Sequence, residues 1–224
     1  MNFLRMLYAK IPPPEMTRMR SLRLFEWLNR NALGKKVLNL GSGVGHFDKY
    51  LSAGIKAVKL DIDPAKPGLD VVADAQRLPF KNESFEIVYS IAVLEHVRKP
   101  WLAAGEITRI LRSGGHVVVE LPFLNVIHAA EDYFRFTDKG IRSLFDESGY
   151  DLVLDEVGSG GGSFLSVFLV VYLRQFVPTK AGKALWYVVM RYIFSICRYL
   201  DALLGRSADL RATANSFTFI ARKR

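Results

Sequence analysis

An apolar run, Val37-Leu38-Asn39-Leu40, passes directly into Gly41-Ser42-Gly43-Val44-Gly45, and a second apolar run ends in Asp61. Glycines at alternate positions after a strand give a turn whose backbone can come close to a ligand. A carboxylate about 20 residues on, at the tip of the next strand, can accept both hydroxyls of a ribose. The pattern requires parallel strands joined through helices and predicts a nucleoside-containing cofactor at their carboxyl ends.

The spacing narrows the cofactor. A dinucleotide fingerprint needs G-x-G-x-x-G, and its third glycine position here is His46. The phosphate-loop pattern G-x-x-x-x-G-K-[ST] does not occur in the chain. A G-x-G-x-G turn without phosphate-binding features suits a nucleoside joined to an amino acid. Further units follow in order. Asp70 to Asp74 reads as a third strand, leading into Ala75-Gln76-Arg77-Leu78-Pro79-Phe80. Phe85 to Val97 reads as a fourth strand running into a short apolar turn. A helix over Trp101–Leu111, a Gly114-Gly115 turn and a fifth strand, His116–Pro122, come next.

Together these segments resemble the class I S-adenosylmethionine-dependent methyltransferases, and the type 11 branch in particular, over roughly residues 35–122. Asn39 stands where that family usually has an acidic residue. The resemblance implies S-adenosyl-L-methionine as cofactor, held by Gly41, Ser42, Gly43 and Gly45. It further implies Asp61 and Ile62 at the ribose, Asp74 and Ala75 at the adenine, and Ile91 in the pocket lining. The implied fold is a doubly wound, Rossmann-like α/β sheet of seven strands. Gly149–Val157 supplies the sixth strand, and Ala214–Arg224 the last, inserted antiparallel.

Composition bounds the rest. A chain of 224 residues is expected to be one domain. It divides into a basic helical segment over 1–33, a cofactor core over 34–158, an insertion over 163–206 and the last strand over 214–224. One cysteine, Cys197, rules out a disulfide framework and fits a reducing, cytoplasmic compartment. It sits in an apolar run and reads as a small buried hydrophobe. The first eleven residues carry Arg5 and Lys10 through a short apolar stretch, which does not read as a signal peptide.

The net charge is +9, but the core over 34–162 holds 15 Lys/Arg against 18 Asp/Glu. The excess is in the flanks: six against two over 1–33, and ten against two over 163–224. A basic active-site face, the mark of a nucleic-acid enzyme, is therefore not expected, and neither is a nucleic-acid partner.

Ser159-Gly160-Gly161-Gly162-Ser163 reads as a flexible break, after which the composition turns apolar. The apolar run Phe164–Val177 is shorter than the stretch of roughly 20 residues that spans a bilayer. Ala184–Leu204 is long enough but carries Arg191, Arg198 and Asp201. Lys183, Tyr187, Arg191, Ser195 and Arg198 recur at helical spacing as one polar stripe beside a broad apolar face, as in a helix lying in a membrane interface. The alternatives are a buried cap or substrate lid, and a homodimer contact. The N-terminal Thr17–Asn31, with Arg18, Arg20, Arg23 and Arg30 against Met19, Leu22, Phe25 and Leu28, is also amphipathic and suits a docking helix with a solvated face.

Chemistry is expected after the fifth strand, where His128, Asp132, Tyr133, Phe134, Arg135, Phe136 and Thr137 follow one another. The stretch resembles a branch of the type 11 family associated with polysaccharide and glycolipid biosynthesis. His128 is the first candidate general base, because imidazole titrates near working pH. Asp132 would orient it, bind a sugar hydroxyl or cap the next helix, while Tyr133 and Arg135 would meet the acceptor. His96 is the second base candidate, and His46 and His116 read as structural. The spacing of four histidines and one cysteine shows no zinc pattern, so no metal site is expected.

The resulting expectation is O-methylation of a glycan or lipid-linked saccharide by a protein peripheral to an anionic inner membrane face. A lipophilic acceptor such as a quinone precursor, and a catalytically silent cofactor-binding module at the membrane, are the competing readings.

Overall fold

The computed structural model describes residues 22–45, 47–145, 149–199, 201 and 208–224. Its centre is a seven-stranded sheet in the order β3-β2-β1-β4-β5-β7-β6. The strands are β1 (Val37–Leu40), β2 (Ala57–Asp61), β3 (Val71–Val72), β4 (Phe85–Ile91), β5 (Leu111–Pro122), β6 (Tyr150–Ser159) and β7 (Ser216–Lys223). The order reverses at β1, and β2, β1, β4 and β5 pair in parallel. Such a reversal leaves a crevice at the carboxyl ends of the strands, where α/β folds bind ligands. Asn215 N donates to Ser159 O and Arg224 N to Gly149 O, so β7 runs antiparallel to β6. Phe123 N donating to Asn215 O sets the same sense against β5.

The expected third strand contracts to two residues. The expected Gly114-Gly115 turn lies inside β5, where pairing skips from Phe85↔Leu111 to Ile87↔His116. Val37, Leu38 and Leu40 of β1, and Ile87, Val88 and Tyr89 of β4, are buried, as are Val117–Val119 of β5. Strands covered on both faces read as continuous apolar runs, which is why these are visible in the sequence.

The chain forms two compact units. One comprises residues 22–122, 128–156 and 217–224 of the described chain, the other 123–127 and 157–216. In the first, α1 (Leu22–Asn31) buries Leu24, Phe25 and Leu28 in a cluster with Val37, Ile87 and Ile220, the docking role expected of it. Arg23 pairs with Glu156, so part of its basic side is engaged. The remaining N-terminal residues of that amphipathic stretch, Arg18, Met19 and Arg20 among them, lie outside the described residues, as does His46. α2 (Pro100–Ile110) has proline in its first turn, where the missing N–H leaves no helical bond unmade.

The second unit holds α4 (Gly161–Leu173) and α5 (Lys180–Phe194); α3 (Asp138–Leu144) belongs to the first. The expected flexible break at 159–163 is instead a tight junction. The Asp201 carboxylate accepts from Gly162 N at 2.7 Å and Ser163 N at 3.1 Å, which satisfies N–H groups in the first turn of α4. A Cβ on Gly162 would lie 2.2 Å from Cys197 O, so glycine is required by close approach. Cys197 itself is partly exposed rather than buried. Trp186 Nε1 donates to Val170 O at 3.0 Å and joins α5 to α4.

The orientation of α5 corrects the expected one. Lys183, Tyr187 and Arg191 of the polar stripe are half-buried and Ser195 is buried, with the Arg174 and Arg191 guanidinium groups beside the Tyr187 ring. Leu185, Val189, Ile193 and Ile196 point outward. On α4, Leu165, Phe168 and Tyr172 are exposed too, and Phe164, Phe168, Tyr172 and Phe176 form a ladder of rings 5.3–5.8 Å apart. Among the described residues no helix is long and apolar enough to cross a membrane.

Candidate active site

The glycine turn after β1 is held by its own backbone. Gly41 N and Ser42 N both donate to Leu60 O, and Gly45 N to Ser42 O. Gly41 has φ +74°, and a Cβ there would lie 2.3 Å from Val93 Cγ2. Asp61, at the tip of β2, accepts from Gly43 N at 2.9 Å and Asp63 N at 3.1 Å, so it orders the turn as well as facing the crevice. Asp74 accepts from Gln76 N at 2.8 Å. The loop carrying it is tied to α2: Glu106 accepts from Leu78 N, and Arg109 donates to Leu78 O and Phe80 O.

These elements enclose a cavity of about 580 Å³ lined by Gly41, Gly43, Asp61, Ile62, Asp74 and Ala75, with Gln76, Ala92, Val93, His96 and Tyr133 completing it. That volume suits a nucleoside-plus-amino-acid ligand. The Asp61 and Asp74 carboxylates, and the turn at Gly43 where a Cβ would meet nothing within 4 Å, fit S-adenosylmethionine. Gly45 and Ser42 shape the turn without lining the cavity. Ile91 is corrected: it is packed in the core cluster at the end of β4, and Ala92 and Val93 take the lining position. Ala92 has a positive φ at the point where the strand turns into the site. Such a conformation costs on the order of 1–3 kcal/mol in a non-glycine residue.

The acceptor end is assembled from two segments. The short 3-10 turn Leu94–His96 follows β4, and residues 128–137 follow β5. Tyr133 N and Phe134 N donate to Glu95 O, stitching the second segment to the first. His96 Nδ1 is 2.6 Å from Glu131 O, and the two histidines face each other with Nε2 atoms 3.1 Å apart. Asp132, its side chain 1% exposed, accepts from His128 N at 3.0 Å and lies 3.2 Å from His128 Nδ1. It contacts His128 at both the backbone and the ring; Thr137, not Asp132, caps α3. Arg135 grips Asp132 with both terminal nitrogens. Arg135 is thus committed to Asp132 rather than turned to an acceptor. That guanidinium holds the Asp132 carboxyl well below the usual carboxylate range, against the opposing effect of burial and with help from the His128 N–H. A hydrogen-bonded cation favours the charged form of a carboxyl group in this way.

Tyr133 is 41% exposed and lines the cavity, with the Arg98 guanidinium 5.9 Å from its ring. Phe136 is in the core. His116 packs on Trp27, and burial lowers its pKa, in keeping with a structural role. Sequence reasoning missed Arg98 and Glu95. Glu95 stands in an apolar stretch, and only the turn after β4 reveals that its carboxyl group is fully buried beside His96, 3.7 Å away. Glu95, His96 and His128 bring one ligand atom each within 4.8 Å of the others, a grouping that sequence spacing does not suggest.

Residues 38–119 match the family described as the methyltransferase domain. The chain is 33% identical over 99 residues to an uncharacterized methyltransferase of Mycobacterium tuberculosis, covering 39% of each. It is 32% identical over 108 residues to one of Mycobacterium marinum, covering 42% of each. The chain thus spans about two-fifths of the length of the curated relatives it matches. Among solved structures, an S-adenosylmethionine-dependent methyltransferase from Mesorhizobium loti is similar at a TM-score of 0.51 and 16% identity, over 90% of this chain and 96% of that one. The [4+2]-cyclase SpnF is similar at 0.59 and 16%, over 92% and 81%. Similarity this remote shows the fold, and the fold alone does not choose a reaction. The strand order and the glycine-carboxylate cavity agree with the family match: residues 38–119 are similar to the methyltransferase domain, and the residues lining the cavity fit S-adenosylmethionine.

Proposed function

We propose that the chain is an O-methyltransferase acting on a glycan or lipid-linked saccharide at an anionic membrane surface. The cofactor supplies an electrophilic methyl group on a sulfonium sulfur. This chain's part is to hold that ligand with Asp61, Asp74 and the glycine turn, and to meet the acceptor at the His96–His128 pair. The observation that carries the reading is the contrast at the acceptor end, where a polar pair of imidazoles sits at the rim of a cavity whose cofactor end is already fully furnished. A hydroxyl acceptor needs such groups to orient it and take its proton, whereas a purely apolar acceptor does not.

The membrane part is supported by the second unit taken by itself. Its outward positions are apolar, with Phe176 72% and Ile196 69% exposed, and the exposed cations Arg174 and Lys180 stand beside them in the chain. Contiguous apolar surface with basic neighbours is the composition of a membrane-surface contact.

Flotation tests this. Full-length protein should float with phosphatidylglycerol liposomes at low salt and less at high salt. The Phe176→Ser, Ile193→Ser, Ile196→Ser variant should remain soluble while keeping its cofactor affinity. Wild type that stays in the soluble fraction removes the membrane from the account. Incubation with methyl-labelled cofactor and a membrane extract then asks whether label enters saccharide-bearing lipid; label confined to water-soluble products would turn the search to a soluble acceptor.

A further inference from the structure

The hydrogen-bond partners of His96 and His128 determine which of their nitrogens carry protons. Glu131 O, 2.6 Å from His96 Nδ1, is a carbonyl and can only accept, so that nitrogen carries a proton. Asp132, gripped by both terminal nitrogens of Arg135, presents an acceptor oxygen 3.2 Å from His128 Nδ1, so that nitrogen carries a proton too. In the neutral imidazoles that leaves both Nε2 atoms as lone pairs, and they point at each other across 3.1 Å. Two facing lone pairs at that distance require an electropositive centre close to both. Either a shared proton or a metal ion meets the requirement.

Three further features favour the metal. Glu95 Oε1 lies 3.7 Å from His96 Nε2, so a carboxylate oxygen joins the two nitrogens. Ligand atoms around a tetrahedral cation, at metal–nitrogen distances of about 2.0–2.1 Å, are separated from one another by about 3.3–3.4 Å. The observed 3.1 and 3.7 Å fall on either side of that value, and all three donor atoms lie within 4.8 Å of one another. Each imidazole also directs its far N–H to an oxygen, one a backbone carbonyl and the other a carboxylate. That is the outer arrangement that fixes metal-ligating histidines. Finally, Glu95 is fully buried while the His96 and His128 side chains are 26% and 37% exposed, so the group reaches from the interior to solvent, where a further ligand could approach.

We propose that Glu95, His96 and His128 bind one divalent cation, and that its open position takes an oxygen of the methyl acceptor at the rim of the cofactor cavity that His96 lines. Two nitrogens and one carboxylate oxygen suit Zn²⁺, Co²⁺, Mn²⁺ or Fe²⁺ better than Mg²⁺ or Ca²⁺. A cation here would replace an imidazole as the group that lowers the pKa of a bound hydroxyl, whose proton then leaves to solvent. The inference rests on the methyltransferase reading only for what fills the open position.

The test uses tag-free, full-length protein stripped with EDTA and titrated with Co²⁺, whose visible absorption reports its ligands. The expected result is one Co²⁺ per chain with a nitrogen- and oxygen-ligand spectrum. His128→Gln and Glu95→Gln should each weaken binding at least tenfold. S-adenosylhomocysteine affinity, measured on the same samples, should stay within about twofold, which shows that the variants are folded. Should Glu95→Gln fail to fold, His128→Gln at its partly exposed position decides the matter alone. Absence of a Co²⁺ spectrum overturns the proposal and leaves a shared proton between the rings. Co²⁺ binding that His128→Gln does not weaken overturns it as well, since the ion is then elsewhere. Loss of S-adenosylhomocysteine binding by the wild type, with Co²⁺ still bound, would instead refute the cofactor reading and leave the cation site standing.

Discussion

The two ends of the cavity are built by different means. At the cofactor end, consecutive backbone forms the site: Gly41 to Gly45 make one turn, Asp61 ends β2, Asp74 follows β3 in a loop, and both carboxylates accept local N–H groups. At the acceptor end, side chains form it, brought together from 94–96 and 128–135 by backbone bonds between Glu95 and residues 133–134. A site made of local backbone leaves a motif in the sequence. A site made of distant side chains leaves only its ingredients.

The sharpest way to break this contrast is to disturb the acceptor end alone. Arg135→Met removes the cation paired with a buried carboxylate and should cost about 3 kcal/mol of stability by denaturant unfolding, because only the contacts with His128 are left to that charge. Restoration of most of that loss by the added Asp132→Asn change would confirm the pair as its source. Asp132 also sets an acid limb. Its folded pKa is depressed. Its contribution is therefore complete above the ordinary carboxylate value of about 4 and declines as pH falls through that value towards the lower, folded one. The Asp132→Asn protein should unfold with a shallower pH slope below about pH 4.

Next in size is His128→Gln. Turnover on any acceptor that the wild type methylates should fall about 100-fold or more, the scale of a lost acid-base or metal-ligand group. Cofactor affinity should not follow. Unchanged turnover would retire this residue from the chemistry.

Smaller again is Gly41→Ala at the other end, where φ is positive and Val93 is in the way. The change should cost about 1–3 kcal/mol and weaken the cofactor, reversing the pattern of His128→Gln. The least effect is expected from Ile196→Ser on the outward side that follows α5, where the side chain is largely exposed. Stability measured by denaturant unfolding should change by no more than about 0.5 kcal/mol there. A larger loss would mean that this surface is part of a core.

The same division explains what the sequence reveals. The core strands, the glycine turn, Asp61 and the insertion between β6 and β7 are all legible, because each follows from local periodicity or a contiguous pattern. Ile91 lies just short of the lining because side chains alternate in direction along a strand. The positive φ at Ala92 then redirects the chain where periodicity cannot see it. The stripe on α5 is legible as a stripe, but its direction is not. Cations and Tyr187 at helical spacing look like a solvated face, yet stacking of Arg174 and Arg191 on Tyr187 lets that face turn inward. The Gly160–Gly162 run suggests freedom, whereas Cys197 and Asp201, far along the chain, make it a close contact. Glu95 and His128 cannot be joined by spacing at all.

The most direct measurement is calorimetric titration of the full-length protein and its Asp61→Ala variant with S-adenosylhomocysteine. Binding at one site per chain, weakened in the variant by about 1.5–3 kcal/mol, or roughly 10- to 150-fold, is the expected result. Equal affinity in the two proteins, or no binding by the wild type, would contradict the assignment of the β1–β2 crevice as the cofactor site.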